Sequence, residues 1–88
     1  MSSYRLVFKP KAKKDIEKTS TAIQKRIIKK LKFFMAQPDP VKAAVQLTGS
    51  LEGHYRWRIG VYRVVFDIES KDIVVLRVQH RRDVYRNK

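Results

Sequence analysis

The sequence predicts a small α+β domain over residues 1–88, with the element order β-α-α-β-β-β. Its 88 residues have room for one small core, and 43% of them are hydrophobic, too many for a disordered polycation. Apolar residues recur at helical spacing in the first half and alternate as in strands in the second. We therefore expect a helix pair packed on one face of a curved, mainly antiparallel sheet.

The first half is predicted as one strand followed by two helices. Residues 4–9 are rich in β-forming side chains, and Pro10 suits the first position of the helix that follows. Thr21, with Gln24 three residues later, predicts a capping box at the start of a second helix that runs to about Ala36. The apolar stripe of this helix consists of Ile23, Ile27, Leu31 and Phe34.

The second half is predicted as three strands after a connection. Residues 41–52 form the connection, with one helical turn near its beginning. Residues 55–59 alternate strictly between apolar and polar, and Gly60 makes a tight reversal into a second strand over 61–67. Residues 73–78 are apolar on both faces, which predicts a central strand.

The same alternation turns three arginines to the sheet face opposite the helices. These are Arg56, Arg58 and Arg63. Residues 81–88 form a polar tail or short helix. We expect His80, just before this tail, and Tyr85 within it to lie close to the three arginines. The result is a predicted cationic concavity.

The formal net charge of +13, from 21 Lys and Arg against 8 Asp and Glu, predicts an anionic partner. Nucleic acid, an acidic protein and a membrane surface all satisfy that condition. No apolar run is long enough to span a bilayer, so we expect no membrane partner and a cytoplasmic protein. The absence of cysteine excludes disulfides and thiolate metal sites, and two histidines with scattered carboxylates predict neither a metal nor another cofactor.

A cationic concavity suits phosphoryl transfer, because guanidinium groups neutralise the charge that develops on phosphate oxygens. Arginine cannot act as a base at neutral pH, so the candidates for proton transfer are His80, His54, Tyr85 and a lysine. Neighbouring cations would favour the phenolate of Tyr85. These groups would suffice for a ribonuclease in which the 2′-OH attacks. Spacing alone nevertheless favours a non-catalytic nucleic-acid-binding module.

Two segments carry a resemblance to a known family. Residues 51–66, Leu-Glu-Gly-His-Tyr-Arg-Trp-Arg-Ile-Gly-Val-Tyr-Arg-Val-Val-Phe, resemble the core motif of the RelE/ParE toxin superfamily. Residues 78–86, Val-Gln-His-Arg-Arg-Asp-Val-Tyr-Arg, resemble the C-terminal signature of its RelE branch. The basic helices match too, so the resemblance covers essentially the whole chain.

The resemblance implies a RelE-like fold and the toxin of a type II toxin–antitoxin pair, a metal-independent endoribonuclease that cleaves mRNA in the ribosomal A site. Its catalytic positions fall on Arg56, Arg58, Arg63, Arg81 and Tyr85. Arg63 and Arg81 would bind the scissile phosphate, while Tyr85 would act as base or stack on the substrate. The best-known members carry lysines on the second strand where this chain has arginines, which are poor proton donors. His80 is therefore the candidate acid.

Two alternatives remain at this stage, a ParE-like toxin that poisons gyrase without ribonuclease activity and a non-catalytic nucleic-acid-binding module. The family also implies a cognate acidic RelB-like antitoxin, and a ribosome with its mRNA, as partners. The predicted surface for RNA and the ribosome consists of Lys11, Lys13, Lys14, Lys29, Lys30 and Arg82.

Overall fold

The predicted order of elements is present in the structure, with one short strand in addition. The structure is a computed structural model that describes residues 3–49 and 53–82. Its elements are β1 (Arg5–Phe8), α1 (Pro10–Glu17), α2 (Thr21–Met35), a short 3₁₀ helix (Pro40–Ala43), β2 (Val45–Gln46), β3 (Tyr55–Ile59), β4 (Tyr62–Glu69) and β5 (Asp72–His80).

The strands form one mixed sheet in the order β1-β5-β4-β3-β2. β1 pairs in parallel with β5, and the other neighbours are antiparallel. β5 has a strand on each side, which confirms its prediction as a central strand. The sequence analysis missed β2, because two exposed residues are too few to show strand periodicity. Helices on a mainly antiparallel sheet confirm the α+β prediction.

The start of α2 differs from the prediction. Ser20, not Thr21, is the N-cap, since its backbone is extended and its hydroxyl accepts a hydrogen bond from the Ile23 N–H at 3.3 Å. Thr21 already lies inside the helix. The Gln24 amide instead donates to two carbonyls at the α1–α2 connection, each at 3.1 Å. The capping box was therefore wrong, and Gln24 ties the two helices together.

The core joins α2 to the strand that carries two of the arginines. Phe34 stacks on Trp57 with ring centroids 5.0 Å apart and an interplanar angle of 16°. Trp57 is fully buried, and its indole N–H donates to the Pro40 carbonyl at 3.0 Å. The predicted inward orientation of Trp57 is confirmed. Because Trp57 is anchored on this side, Arg56 and Arg58 are held on the other.

The face opposite the helices is partly covered by the chain that leads into β3. Val65, which shares the strand parity of Arg63, is fully buried, and a Cβ at Gly53 would lie 2.7 Å from its Cγ1. The backbone N–H and the Nδ1 of His54 both contact Asp67 Oδ1, at 2.7 and 2.8 Å. The outer face of the sheet is therefore not exposed along its whole length. Among residues 3–49 and 53–82, the outer face carries a pocket beside the β3–β4 reversal.

An aspartate on α1 holds the far end of β5. β1 pairs only with Asp72–Val75, so β5 extends beyond its neighbour. Asp15 accepts hydrogen bonds there from the Val78 N–H at 2.9 Å and from Arg77 Nε at 2.8 Å. We call this arrangement the Asp15 clamp. It satisfies an edge N–H that no strand pairs and positions the strand end from which Arg81 follows.

The longest helix of residues 3–49 and 53–82 is α2, with 15 residues. No helix in that part of the chain is long and apolar enough to cross a membrane.

Candidate active site

Four of the predicted site residues meet in one pocket at the open end of the outer face. The pocket has a volume of about 170 Å³ and is lined by Arg56, Arg58, Gly60, Val61, Tyr62, Arg63 and Arg81. We call it the arginine pocket. Its lining includes no carboxylate among the residues that the structure describes. Four arginine side chains that line one pocket make a site for an anion.

The register of the β3–β4 hairpin brings these arginines together. Arg58 lies directly opposite Arg63 in the antiparallel pair, and Arg56 lies two residues earlier on the same face. Arg81 follows β5, where its backbone N–H donates to the Val61 carbonyl at 2.7 Å. Like charges placed directly opposite one another destabilise a sheet, so the Arg58–Arg63 pair is unfavourable by itself and a bound anion would relieve it.

The Arg63 side chain offers a further donor for an anion. Its Nε is buried and has no hydrogen-bond partner in residues 3–49 and 53–82. A buried donor left unsatisfied costs about 1–3 kcal/mol. A phosphate oxygen is the kind of acceptor that would satisfy it.

The structure places His80 beside the arginine pocket and not inside it. His80 pairs with Tyr62 across β4 and β5, with ring centroids 5.1 Å apart and nearly perpendicular planes. Its Nδ1 accepts a hydrogen bond from the Arg82 N–H at 3.0 Å, so Nδ1 is unprotonated and a neutral ring carries its proton on Nε2. His80 lines a second pocket of about 560 Å³, and Tyr62 lines both pockets.

The other predicted residues lie elsewhere. Tyr85 is outside the described residues. The basic residues that were predicted to bind RNA and the ribosome are exposed and do not line the arginine pocket. These are Lys11, Lys13, Lys14, Lys29, Lys30 and Arg82. Over residues 3–49 and 53–82, no three His, Asp or Glu side chains form a cluster that could hold a metal ion.

Sequence reasoning missed Tyr62 and Val61 as lining residues. Tyr62 shares the strand parity of the buried Val64 and Phe66, yet at the start of β4 it also lines the arginine pocket. Val61 lies at the reversal and is 50% exposed. Their position beside Gly60, at the tip of an arginine-bearing hairpin, was the available signal.

Comparison with known proteins identifies the class. Residues 6–85 match the family described as "ParE toxin of type II toxin-antitoxin system, parDE". The chain therefore belongs to the RelE/ParE superfamily of type II toxins. Toxin RelG from Mycobacterium tuberculosis is 31% identical over 85 residues, which cover 94% of this chain and 97% of that protein.

Solved structures agree on the fold, and one of them also on the RelE branch. A chain of the toxin–antitoxin complex RelBE2 from Mycobacterium tuberculosis has a TM-score of 0.71 at 26% identity, covering 88% of this chain and 96% of that one. A chain of the archaeal RelE–RelB complex from Pyrococcus horikoshii has a TM-score of 0.69 at 24% identity, covering 90% and 96%. The second likeness is one of fold alone.

Proposed function

We propose that this toxin is a ribosome-dependent endoribonuclease that cleaves mRNA in the A site without a metal ion. The observation that carries the proposal is the arginine pocket, where four guanidinium groups converge on a volume of about 170 Å³. RNA supplies its own nucleophile, the 2′-OH, so the protein must chiefly hold the phosphate and move protons.

Arg63 and Arg81 are proposed to bind the scissile phosphate and to stabilise the negative charge of its transition state. The buried Nε of Arg63 would gain an acceptor when the phosphate enters. Arg56 and Arg58 would hold the remaining phosphate oxygens from β3. Arginine suits this task because its planar fork makes paired hydrogen bonds to phosphate.

Proton transfer is proposed for Tyr85 and His80. Tyr85 would act as the base for the 2′-OH or stack on the substrate, as its match to the family signature suggests. His80 would act as the acid. It would do so as the imidazolium, giving one ring proton to the leaving oxygen and ending as the neutral ring. Its Nδ1 would then have to release the hydrogen bond that it accepts from the Arg82 N–H in the neutral form. For this role the leaving oxygen must approach past Tyr62, which lies between the two pockets.

The proposed partners are supported by the net charge of the chain and by its similarity to solved toxin–antitoxin complexes. The solved relatives are complexes of RelE-type toxins with RelB antitoxins. We propose an acidic RelB-like antitoxin for this chain, since its net charge of +13 requires an acidic inhibitor surface. The exposed lysines of α1 and α2 would attract ribosomal RNA, and this attraction should weaken steeply with added salt.

Primer extension on translating ribosomes tests the activity. Wild-type toxin should cut between A-site nucleotides, and Arg63→Ala and Tyr85→Phe should lose the cut. Arg5→Ala is the matched control, because it removes the same charge from an exposed β1 position outside the pocket. Equal cleavage by the Arg63 variant and the wild type would refute the assignment.

A second candidate is a gyrase-poisoning toxin that acts by binding alone. The observation in its favour is the match of residues 6–85 to the ParE description. Intact mRNA together with inhibited DNA supercoiling by purified gyrase would support this candidate and reject the ribonuclease.

A further inference from the structure

A groove beside the arginine pocket contains an exposed aromatic ring among cations. It has a volume of about 710 Å³, and its lining includes Arg26, Lys29, Lys30, Phe33, Arg58 and Ile59. We call it the Phe33 groove. The Phe33 side chain is 54% exposed. All four charged residues of the lining are basic, so the groove suits a ligand that combines a flat apolar surface with negative charge.

The spacing on α2 produces this groove. Arg26, Lys29, Lys30 and Phe33 fall at i, i+3, i+4 and i+7, which places them on one helix face. The next residue, Phe34, lies on the buried face against Trp57, so Phe33 is turned outward. The ammonium group of Lys30 lies 4.7 Å from the centroid of the Phe33 ring.

The Phe33 groove continues into the arginine pocket. Arg58 and Gly60 line both. A Cβ built at Gly60 would meet no atom of residues 3–49 and 53–82 within 4 Å apart from its chain neighbours, so those residues leave space between the two at that point. A chain with one phosphate in the arginine pocket could therefore continue across Gly60 into the groove.

We propose that the Phe33 groove binds one base of the single-stranded RNA whose phosphate occupies the arginine pocket. The proposal rests on the proposed function, because it takes that phosphate as its anchor. A strand held at one phosphate must leave the pocket over neighbouring surface, and here that surface offers an aromatic ring. Any base can stack on such a ring. The cations of α2 would hold the adjoining phosphate.

An acidic peptide is the competing occupant, and it differs in what it requires of residue 33. A peptide side chain needs only apolar area, which leucine also supplies. A base needs a flat aromatic face. Phe33→Leu therefore removes base stacking and keeps an apolar contact, while Phe33→Trp keeps the aromatic face. Neither change alters the charge.

The experiment measures fluorescence anisotropy of a labelled RNA hexanucleotide at low ionic strength. Each ribose is 2′-O-methylated, so the nucleophile is blocked and the probe stays intact. Phe33→Leu should weaken binding between about fivefold and about 150-fold, the range expected for one stacked base. Phe33→Trp should bind like the wild type. The slope of log K against log salt should not change, because no charge is lost.

Two controls locate the effect. Ile28→Ala removes an apolar side chain that is 39% exposed on the same helix but outside the groove, and it should leave binding unchanged. In a series of hexanucleotides that each have one abasic position, one probe should bind the wild type more weakly than the intact probe does. That same probe should bind Phe33→Leu and the wild type with equal affinity. Such coupling assigns the lost energy to a single base on Phe33.

Three results would overturn the proposal. The wild type fails to bind the probe, Phe33→Leu binds every probe like the wild type, or Phe33→Leu weakens only a synthetic Glu- and Leu-rich amphipathic peptide. The last result would assign the groove to an acidic protein. Primer extension separates the two proposals. Uncut mRNA with Phe33-dependent probe binding rejects only the ribonuclease, and cut mRNA with Phe33-independent binding rejects only the groove.

Discussion

Replacing Arg63 with methionine should make the protein more stable while removing its proposed activity. In the structure Arg63 lies directly opposite Arg58, and its buried Nε has no partner in the described part of the chain. Methionine keeps an unbranched, largely apolar stem of similar reach and has no guanidinium group. The substitution therefore removes both the buried, unpartnered Nε and the positive charge opposite Arg58.

The magnitude follows from those two features. A buried donor without an acceptor costs about 1–3 kcal/mol, and a like-charged pair directly opposite in a sheet costs about 0.2–1 kcal/mol. We expect Arg63→Met to raise the free energy of unfolding by about 1–3 kcal/mol, allowing for some relaxation of both terms. In a domain of this size each kcal/mol raises the melting temperature by about 4–8 °C.

Thermal unfolding followed by circular dichroism, with and without sulfate, measures the effect. Sulfate should stabilise the wild type, because it supplies the missing acceptor, and should stabilise Arg63→Met less. Arg5→Met is the control. It also removes one positive charge, but from a side chain that is 77% exposed and pairs with Asp72 at 3.0 Å. Its melting temperature should not rise as that of Arg63→Met does.

A melting temperature of Arg63→Met at or below that of Arg5→Met would refute the reasoning. It would mean that the buried Nε of Arg63 and the opposed charge of Arg58 do not lower the free energy of unfolding. A rise in both variants by the same amount would assign the gain to the overall charge of the chain. In that case the like charges in the arginine pocket would not destabilise the fold locally.

Three further predictions concern the parts that position the site. Gly53→Ala should destabilise the fold by about 1–3 kcal/mol in urea unfolding, because its Cβ would lie 2.7 Å from Val65 Cγ1, and Val65→Ala in the same chain should recover part of the loss. Ser20→Ala should cost about 0.5–2 kcal/mol and Thr21→Ala clearly less, since only Ser20 caps α2; equal losses would contradict that assignment. Asp15→Ala should speed hydrogen exchange at the end of β5 more than Asp15→Asn, which keeps an acceptor for the strand edge.

The elements with a strong local period were predictable from the sequence. The apolar stripe of α2 and the strict alternation of β3 specify which face of each is buried, so the core role of Trp57 and the common outward face of Arg56 and Arg58 followed without a structure. Pro10 marked the start of α1 for a local reason too, because its ring suits the first helical turn. β2 was missed because its two residues have no period.

Other features depend on contact between segments distant in the chain. Val65 has the parity of an outward residue, but it is buried because Gly53 packs on it. His80 was expected near the arginines, and cross-strand pairing with Tyr62 places it beside their pocket, in the lining of the neighbouring one. Neither outcome has a signature within a short stretch of sequence.

The sequence by itself determined that this chain is a basic α+β domain whose arginines alternate outward from a hairpin, because charge, periodicity and turn residues are local properties. Only the tertiary structure decided that Arg56, Arg58, Arg63 and Arg81 line one pocket. That convergence depends on the register of β3 on β4 and on the end of β5 being held by the Asp15 clamp. Register and edge contacts are set by pairing across the fold, which the order of residues along one strand does not specify.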